Sequence, residues 1–491
     1  MMRIWELNEE VAQLVSAGSS IIVVARKCRG DTCEGLCSEG VAIGLVCKMR
    51  YLAYWIFGWI AAATVYGGTF LEFESEIRTT VEADEEESIE VSTDGITVYL
   101  GYEIIETVTG TGVLVRDFKE KKVFRSNDQQ TEYDVYSLYA DIGFRVIEFR
   151  NRSELGGVLS KAGIEENPME TVLNEHLFSL DSGETPNLER NEEAGEVTYS
   201  YEGKPLLRYS LDGEVIDEET QERYNLFLRY EFGIHPKILS ELSTTNRVPE
   251  TLVVYQYHLG EEEVTLHLVS RKEVAGIPQR DFSQRIPLPE EPLFQISARA
   301  SAMSEEDFAN GCIALKLRAV EQAEAGQLLD SASLFMAYIL ATGEQLPPEF
   351  FEYKEAMQSD EEVQLLFASI NPRSKEAAEK SVEVLADLEG RVRQGNESIL
   401  IFQANILDSL GKRQEAIDLF LEALELNPII VGAWKDLGEL YYRSFDSRRA
   451  WLCWDTGRSL YGEHAMFEQI DYFEEDLFLE HPEFFLRFPK E

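Results

Sequence analysis

The chain has 491 residues, long enough for two or three domains, and 44% of them are hydrophobic, which excludes a wholly unfolded chain. Its formal net charge of −45 excludes binding of nucleic acid or anionic lipid by most of its surface, because phosphate groups require clustered Lys and Arg. Residues 1–71 contribute none of this excess, so the acidic charge lies in the remainder of the chain.

Four of the six cysteines lie close together near the start of the chain: Cys28, Cys33, Cys37 and Cys47. Their spacings match neither paired zinc-binding cysteines nor the usual iron–sulfur patterns, and residues 1–50 contain no histidine. Cys312 and Cys453 lie in apolar helical segments, which is typical of buried free thiols. We therefore predict no metal site, no disulfide framework and no cofactor.

Residues 51–71 form an uncharged apolar run that is long enough to cross a bilayer. Basic residues precede it and acidic residues follow it, which favours a topology with residues 72–491 outside the cytoplasm. Met49, Arg50, the apolar run and the small residues Ala61–Ala63 also have the layout of a secretory signal peptide, in which case residues 1–48 are an untranslated extension. The run at 49–71 is thus a signal peptide, a single transmembrane anchor or a buried core helix. The first two alternatives predict an exported protein, periplasmic or extracytoplasmic, or one anchored in the membrane.

A strand-rich pattern covers residues 72–295 and predicts an antiparallel β-rich domain. Apolar and polar residues alternate in GITVYLGYEIIETVTG, EVTYSYEGKPLLRYSLDG and ETLVVYQYHLGEEEVTLHLVSR, with short turn sequences between them. One helical insert is expected at residues 153–180, where this alternation stops. The strand tyrosines either pack the sheet against its cover or line a cavity for an apolar ligand: Tyr99, Tyr102, Tyr139, Tyr199, Tyr255 and Tyr257.

A linker with three prolines in residues 286–292 ends the strand-rich region, and the pattern after it is helical. Ser304 and Asp307 form a Ser-x-x-Asp signal for the start of a helix. We predict degenerate helical hairpins at residues 296–396 and a regular repeat with a capping helix at residues 397–491. The predicted fold class is therefore α+β and multidomain, with the β-rich domain first and an all-α repeat domain second.

Two segments within residues 397–464 repeat with a period of 34 residues. Small and large residues recur at matching places, so Leu400, Ala404, Leu407, Ala416, Phe420, Ala423 and Pro428 correspond to Trp434, Gly438, Tyr441, Ala450, Trp454, Gly457 and Gly462. We expect Gly438 to lie where the two helices of its pair approach most closely. The second segment contains W-x2-L-G-x2-Y. This pattern resembles the tetratricopeptide repeat (TPR) family, which implies stacked pairs of antiparallel helices around a groove that binds a protein partner. The groove side chains implied by the resemblance are Ile401, Asn405, Asp408, Lys435, Glu439, Tyr442 and Arg443. The alternative is that these residues form an ordinary exposed helix face that binds no ligand.

The sequence contains no motif that indicates catalysis. Phosphate-binding loops, nucleophile elbows and zinc-protease motifs are absent, and the six histidines are scattered. His258 and His267 are expected to be neighbours on adjoining strands and not ligands. We find no nucleophile with an evident base, so we predict that the protein is not an enzyme.

Two functional hypotheses follow. The first is an exported, non-catalytic TPR-containing protein that mediates protein–protein interaction or assembly at the cell envelope through the groove. The alternative is a carrier that binds a lipid or another apolar small molecule in the β-rich domain. Neither involves nucleic acid, and the membrane is a partner only if residues 51–71 are retained.

Overall fold

The computed structural model describes residues 67–83, 86–127, 133–161, 170–183, 187–257, 261–275 and 291–488. The segment Gly67–Glu491 forms one compact unit. Within the described residues, no helix has the length and apolar character that crossing a membrane requires. The predictions for the cysteines at 28–47, for most of the apolar run, for most of the proline-rich linker and for His258 fall outside these residues.

The strand-rich half forms a large antiparallel sheet, as the alternation predicts. Its strands run in the order β6-β5-β4-β3-β2-β1-β13-β12-β9-β8-β7, and β10 pairs with β11 in a separate two-stranded sheet. The strands are β1 (Gly68–Ala83), β2 (Glu86–Leu100), β3 (Ile104–Thr109), β4 (Gly112–Asp117), β5 (Lys122–Asn127), β6 (Tyr133–Ser137), β7 (Glu189–Glu193), β8 (Glu196–Tyr201), β9 (Lys204–Ser210), β10 (Gly213–Val215), β11 (Arg247–Pro249), β12 (Thr251–Tyr257) and β13 (Glu261–Val274).

Strand β1 corrects the end of the predicted apolar segment. Residues 68–71, the last four of the uncharged run, form the start of this strand and do not belong to a helix. Leu71 pairs with Val98 and Arg271 on the two neighbouring strands and is completely buried. The apolar residues at this end of the run are therefore explained by the core of the sheet.

Within the described residues of this half, four helices accompany the strands, and the sequence predicted only part of them: α1 (Leu138–Lys161), α2 (Thr171–Phe178), α3 (Glu218–Phe232) and α4 (Pro236–Ser243). The prediction of an insert at 153–180 placed its start too late, because α1 begins 15 residues earlier, and Tyr139 lies in this helix and not in a strand. Aromatic and β-branched residues favour strands only weakly, and packing against the sheet overrides that preference here. Helix α3 was missed although Asp217 caps its start.

The C-terminal half is helical throughout the described residues. Its helices are α5 (Pro292–Ser301), α6 (Glu305–Glu324), α7 (Leu328–Thr342), α8 (Pro348–Glu352), α9 (Lys354–Ser359), α10 (Glu361–Ser369), α11 (Lys375–Glu389), α12 (Asn396–Ser409), α13 (Arg413–Leu426), α14 (Val431–Arg443), α15 (Ser447–Leu460) and α16 (Glu468–Glu480). Ser304 and Asp307 form the predicted reciprocal cap of α6. Cys312 and Cys453 are buried free thiols, as predicted.

Helices α12 to α15 form two successive pairs that follow the 34-residue period. The prediction that Gly438 marks a close approach within the second pair is confirmed, since a Cβ atom there would lie 2.3 Å from Nε1 of Trp454. Trp434 is completely buried and donates a hydrogen bond from Nε1 to the Pro428 carbonyl at 2.8 Å. Membership of the TPR family stays a prediction.

The second pair also joins the two halves of the molecule. Helix α15 packs on α1 and on β6, and α16 continues the contact with α1. A Cβ atom on Gly143 of α1 would lie 2.4 Å from Cη2 of Trp451, so the helix backbone lies directly against this indole ring. The contact places the turn between α14 and α15 beside the edge of the sheet that ends in β6.

Candidate ligand-binding cleft

The seven predicted groove residues lie on α12 and α14, but they do not form an open row of binding groups. Ile401 is completely buried, so its side chain is not available to line an open groove. Lys435 is only 8% exposed, and its Nζ lies 2.6 Å from Oε1 of Glu439. Tyr442 packs edge-on against Trp451 and donates a hydrogen bond to the Gly143 carbonyl at 3.4 Å.

The remaining predicted groove residues pair with acidic groups on the same surface. Asn405 donates a hydrogen bond to Asp436 at 3.0 Å, and Arg443 forms an ion pair with Asp408 at 2.6 Å. These pairs link α12 to α14 and satisfy much of the polar capacity of the face. Exposed pairs of this kind stabilise a protein by about 0–1 kcal/mol. Whether this face binds a partner stays a prediction.

A cavity of about 900 Å³ lies where the sheet, α1 and the second helix pair meet. We call it the central cleft and define it by residues from β3 to β6, from α1, from the ends of α2 and α3, and from the turn between α14 and α15. Its main side chains are Thr107, Arg116, Tyr136, Asp141, Phe144, Glu231, Phe445, Ser447 and Arg448. None of the six tyrosines proposed as a cavity lining lies in it. Tyr99, Tyr139 and Tyr199 are instead buried in the core.

Arg116 on β4 forms the floor of the central cleft and is only 4% exposed. Its Nη1 donates to Oε1 of Glu231 at 2.6 Å, and its guanidinium stacks over the Tyr230 ring at 4.6 Å. The neighbouring Thr107 hydroxyl also donates to Glu231, at 3.2 Å. Although burial opposes the charged form, the carboxylates of Glu231 and Asp141 raise the pKa of Arg116, so the guanidinium stays positively charged.

Asp141 on α1 is a second acidic group that acts on this arginine, after Glu231. Burial raises its pKa, while the charges of Arg116, Arg448 and Arg145 act in the opposite direction. Arg145 also lines the cavity and donates to the carbonyl groups of Phe178 and Tyr230, at 3.1 and 2.7 Å. Asp141 is therefore a partly buried carboxylate that depends on surrounding arginines for its charge.

The mouth of the central cleft carries two exposed aromatic rings and an arginine. Phe144 is 42% exposed and Phe445 is 37% exposed. Arg448 stacks on the Tyr136 ring at 4.0 Å and donates to its hydroxyl at 2.8 Å. Aromatic and arginine side chains are enriched in the energetically important parts of protein interfaces.

Phe445 has a left-handed backbone, with φ of +63°. The residue 34 positions earlier, Gly411, makes the corresponding turn of the first pair with φ of +79°. Glycine adopts this conformation freely, whereas a side chain adds about 1–2 kcal/mol. A bulky residue that keeps this strained conformation at the mouth of a cavity indicates a functional role, because the conformation itself lowers stability.

The balance of charge in the central cleft differs from that of the whole protein. Its lining contains four arginines and three acidic residues, the latter being Asp141, Glu231 and Asp446. Asp446 is engaged by the side chain of Arg449, at 2.5 Å, and also caps the start of α15. The rest of the lining is therefore net positive in a chain with a formal charge of −45.

The lining of the central cleft is rich in arginine, hydroxyl and aromatic side chains. It contains no Cys, His or Lys side chain that would serve as an obvious nucleophile or base. Within the described part of the chain, no three His, Cys, Asp or Glu side chains are grouped so as to hold a metal ion. The groups that the central cleft offers are arginines, hydroxyls, two carboxylates and aromatic rings.

Sequence reasoning missed this site because its residues come from strands, a helix and a turn that are far apart in the chain. Arg116 and Ser447 are more than 300 positions apart. One signal was present in the 34-residue alignment, where Phe445 stands in place of the turn glycine Gly411. A bulky residue at a glycine turn position is a detectable departure from an otherwise matched repeat.

Comparison with known proteins does not place this chain in a family. No family model and no curated protein matches this chain. Among solved structures, a chain from the structure described as "Lipid-protein interactions in lipovitellin" is 10% identical, with 84% of this chain and 54% of that chain covered and a TM-score of 0.19. This chain thus spans about half the length of the lipovitellin chain. A similarity this low supports no conclusion about fold or function.

Proposed function

We propose that this chain is a non-catalytic protein that binds a protein partner, and that the partner docks at the central cleft. The observation that carries the proposal is Phe445, an exposed aromatic residue in a left-handed turn where the preceding helix pair has glycine. The export predicted from the apolar run at 51–71 would place this interaction at the cell envelope.

The surroundings of Phe445 support a protein partner. The phenyl rings of Phe144 and Phe445 lie at the same mouth as Arg448, and these residue types are the usual anchors of an interface. The turn that carries Phe445 is held between α14 and α15, so Phe445 loses little conformational freedom when a partner covers it. A site that is ordered before binding loses less conformational entropy when the partner binds, so more of the favourable contact energy contributes to affinity.

The alternative proposal is a carrier of a lipid or another apolar small molecule. The two exposed phenyl rings would also contact an acyl chain, which is the observation that favours this function. The floor of the central cleft opposes it, because an apolar ligand would cover the polar side chains of Arg116, Asp141 and Glu231 without pairing with them.

The partner proposal is tested by replacing Phe445 with Gly and comparing partner retention after cross-linking in the source cells. We expect the Phe445→Gly protein to fold with equal or greater stability, because the left-handed turn is relaxed, and to lose the cross-linked partner. Phe351→Ala is the matched control, since Phe351 is 41% exposed but does not line the central cleft. Undiminished partner retention by Phe445→Gly would contradict the proposal. Lipid retained by the purified protein in native mass spectrometry would favour the carrier.

A further inference from the structure

Two buried polar atoms of the central cleft have no hydrogen-bond partner among the described residues. They are Nε of Arg116, in a side chain that is 4% exposed, and the hydroxyl of Ser447, which is 3% exposed. Both residues line the same cavity. Buried polar groups in folded proteins nearly always have a partner, so two such atoms in one cavity require an explanation.

The orientation of Arg116 defines what it can still bind. Its Nη1 is engaged by Glu231, and its planar face is covered by the Tyr230 ring. The unpartnered Nε belongs to the opposite edge of the guanidinium, which it shares with Nη2. That edge presents two parallel N–H groups, the arrangement that pairs with the two oxygens of a carboxylate.

Ser447 adds a hydroxyl donor at the first position of α15. Because Ser447 lines the same cavity as Arg116, its hydroxyl can supply a third donor for a small anion. The positive balance of the lining favours an anion here, whereas the charge of the rest of the chain disfavours one elsewhere.

We infer that the floor of the central cleft is a carboxylate-binding subsite, in which Arg116 and Ser447 hold an acidic group that the partner presents next to an apolar side chain. The apolar neighbour then lies against Phe144 and Phe445 at the mouth. The inference rests on the proposed function, because it specifies the chemistry of the partner that docks there.

A carboxylate fits this floor better than a phosphate group does. It carries one charge and two coplanar oxygens, which match one guanidinium edge and one hydroxyl. A phosphate dianion would bring about twice the negative charge close to Asp141 and Glu231, both of which remain in the lining.

Asp141 gives the inference a second, opposite test. Its carboxylate lies within the influence of Arg116 and competes for that positive charge. Replacing it with Asn keeps its shape and removes its charge, so an incoming carboxylate should bind more tightly. A substitution that merely damaged the fold would not strengthen binding.

The experiment titrates the full chain with 3-phenylpropanoate and, separately, with the uncharged 3-phenylpropanamide, using isothermal titration calorimetry. These probes have the same phenyl group and differ only in the carboxylate. We expect the acid to bind at least about 10-fold more tightly than the amide, in line with a bidentate charged pair. Arg116→Lys keeps the charge but loses the two-donor edge, and should weaken acid binding by about 10-fold.

Two further variants and a control complete the test. Ser447→Ala should weaken binding of the acid by several-fold, and Asp141→Asn should strengthen it by a similar factor, since each changes one interaction with the same group. Arg391→Lys, at a surface ion pair away from the central cleft, should change nothing. Equal affinity for acid and amide, or weaker acid binding by Asp141→Asn, would overturn the inference.

The outcome is separable from that of the proposed function. If Phe445→Gly loses the partner while wild-type protein does not distinguish acid from amide, the partner site stands and the carboxylate subsite is wrong. If the acid is preferred but Phe445→Gly retains the partner, the subsite stands and the docking of a protein partner is wrong.

Discussion

The two regular helix pairs have the same 34-residue spacing but different surroundings. In the first pair, α12 and α13, Ile417 is partly exposed, and the turn is made by Gly411. In the second, α14 and α15, Trp451 stands in place of Ile417 and is completely buried against α1, while Phe445 makes the turn. The comparison shows that two helix pairs with the same spacing differ in the side chains at the places where the second pair meets α1 and borders the central cleft.

The aromatic residues of the second pair form one packed group. Trp451 and Trp454 meet edge-on with ring centroids 4.9 Å apart, and Tyr442 contacts both rings. Trp451 also donates a hydrogen bond from Nε1 to Glu474 of α16 at 2.8 Å. This group holds α15 on α1 and so positions the turn that forms one wall of the central cleft.

The largest expected effect comes from removing Trp451. Trp451→Ala deletes a completely buried ring at the contact between α15 and α1 and should lower the free energy of unfolding by about 3–5 kcal/mol. Its repeat equivalent, Ile417→Ala, should cost no more than about 1–2 kcal/mol because that side chain is only partly buried. Chemical denaturation followed by circular dichroism measures both. Equal losses would mean that the second pair is not specialised for this contact.

A smaller effect is expected at the close approach within the second pair. Gly438→Ala places a Cβ atom against Trp454 and should destabilise the protein by about 1–3 kcal/mol. In the first pair, Ala404→Gly is the converse change and should cost about 1 kcal/mol through helix propensity and lost packing. Thermal unfolding compares the two variants. If Gly438→Ala were stabilising, as the higher helix propensity of alanine alone predicts, the close packing of Gly438 against Trp454 would be wrong.

A third effect concerns pH and a residue that follows the second pair. His464 is buried and its Nδ1 accepts the Met466 N–H. At the corresponding position after the first repeat unit, 34 residues earlier, the chain has Ile430, which cannot titrate. Burial lowers the pKa of His464 to about 4, below the usual value of 6.5 in an unfolded chain. The unfolded state therefore takes up a proton first, and this contribution to stability, complete above about pH 6.5, is lost as the pH falls towards about 4.

His464→Asn should reduce the loss of stability between pH 7 and pH 5, because asparagine can accept the same N–H without becoming charged. The midpoint of urea unfolding at several pH values measures this slope. The exposed His267→Asn is the matched control. An unchanged slope in His464→Asn would show that its burial does not set the acid sensitivity. His176, whose pKa burial lowers to about 3, then becomes the next residue to test.

The candidate site was less predictable than the fold, for reasons that particular residues show. The family resemblance placed Lys435 and Ile401 in an open groove, but packing buries Ile401 completely and Lys435 almost completely. A helical period identifies which residues share a face, and it does not reveal which other segment covers that face. Arg116 gave no signal at all, because a lone arginine in a strand is ordinary until its surroundings are known.

The sequence by itself determined the antiparallel strands of the first half, the helical pairs of the second and the tight approach at Gly438. These features depend on residues that are close in the chain, where alternation, period and small-residue spacing act directly. Only the tertiary structure decided that α1 and α3 cover the sheet, that Trp451 docks on Gly143, and that Arg116, Asp141, Phe445 and Ser447 share one cavity. Those juxtapositions depend on contacts between segments that are distant in the chain, and local preferences carry no information about which distant surfaces will meet.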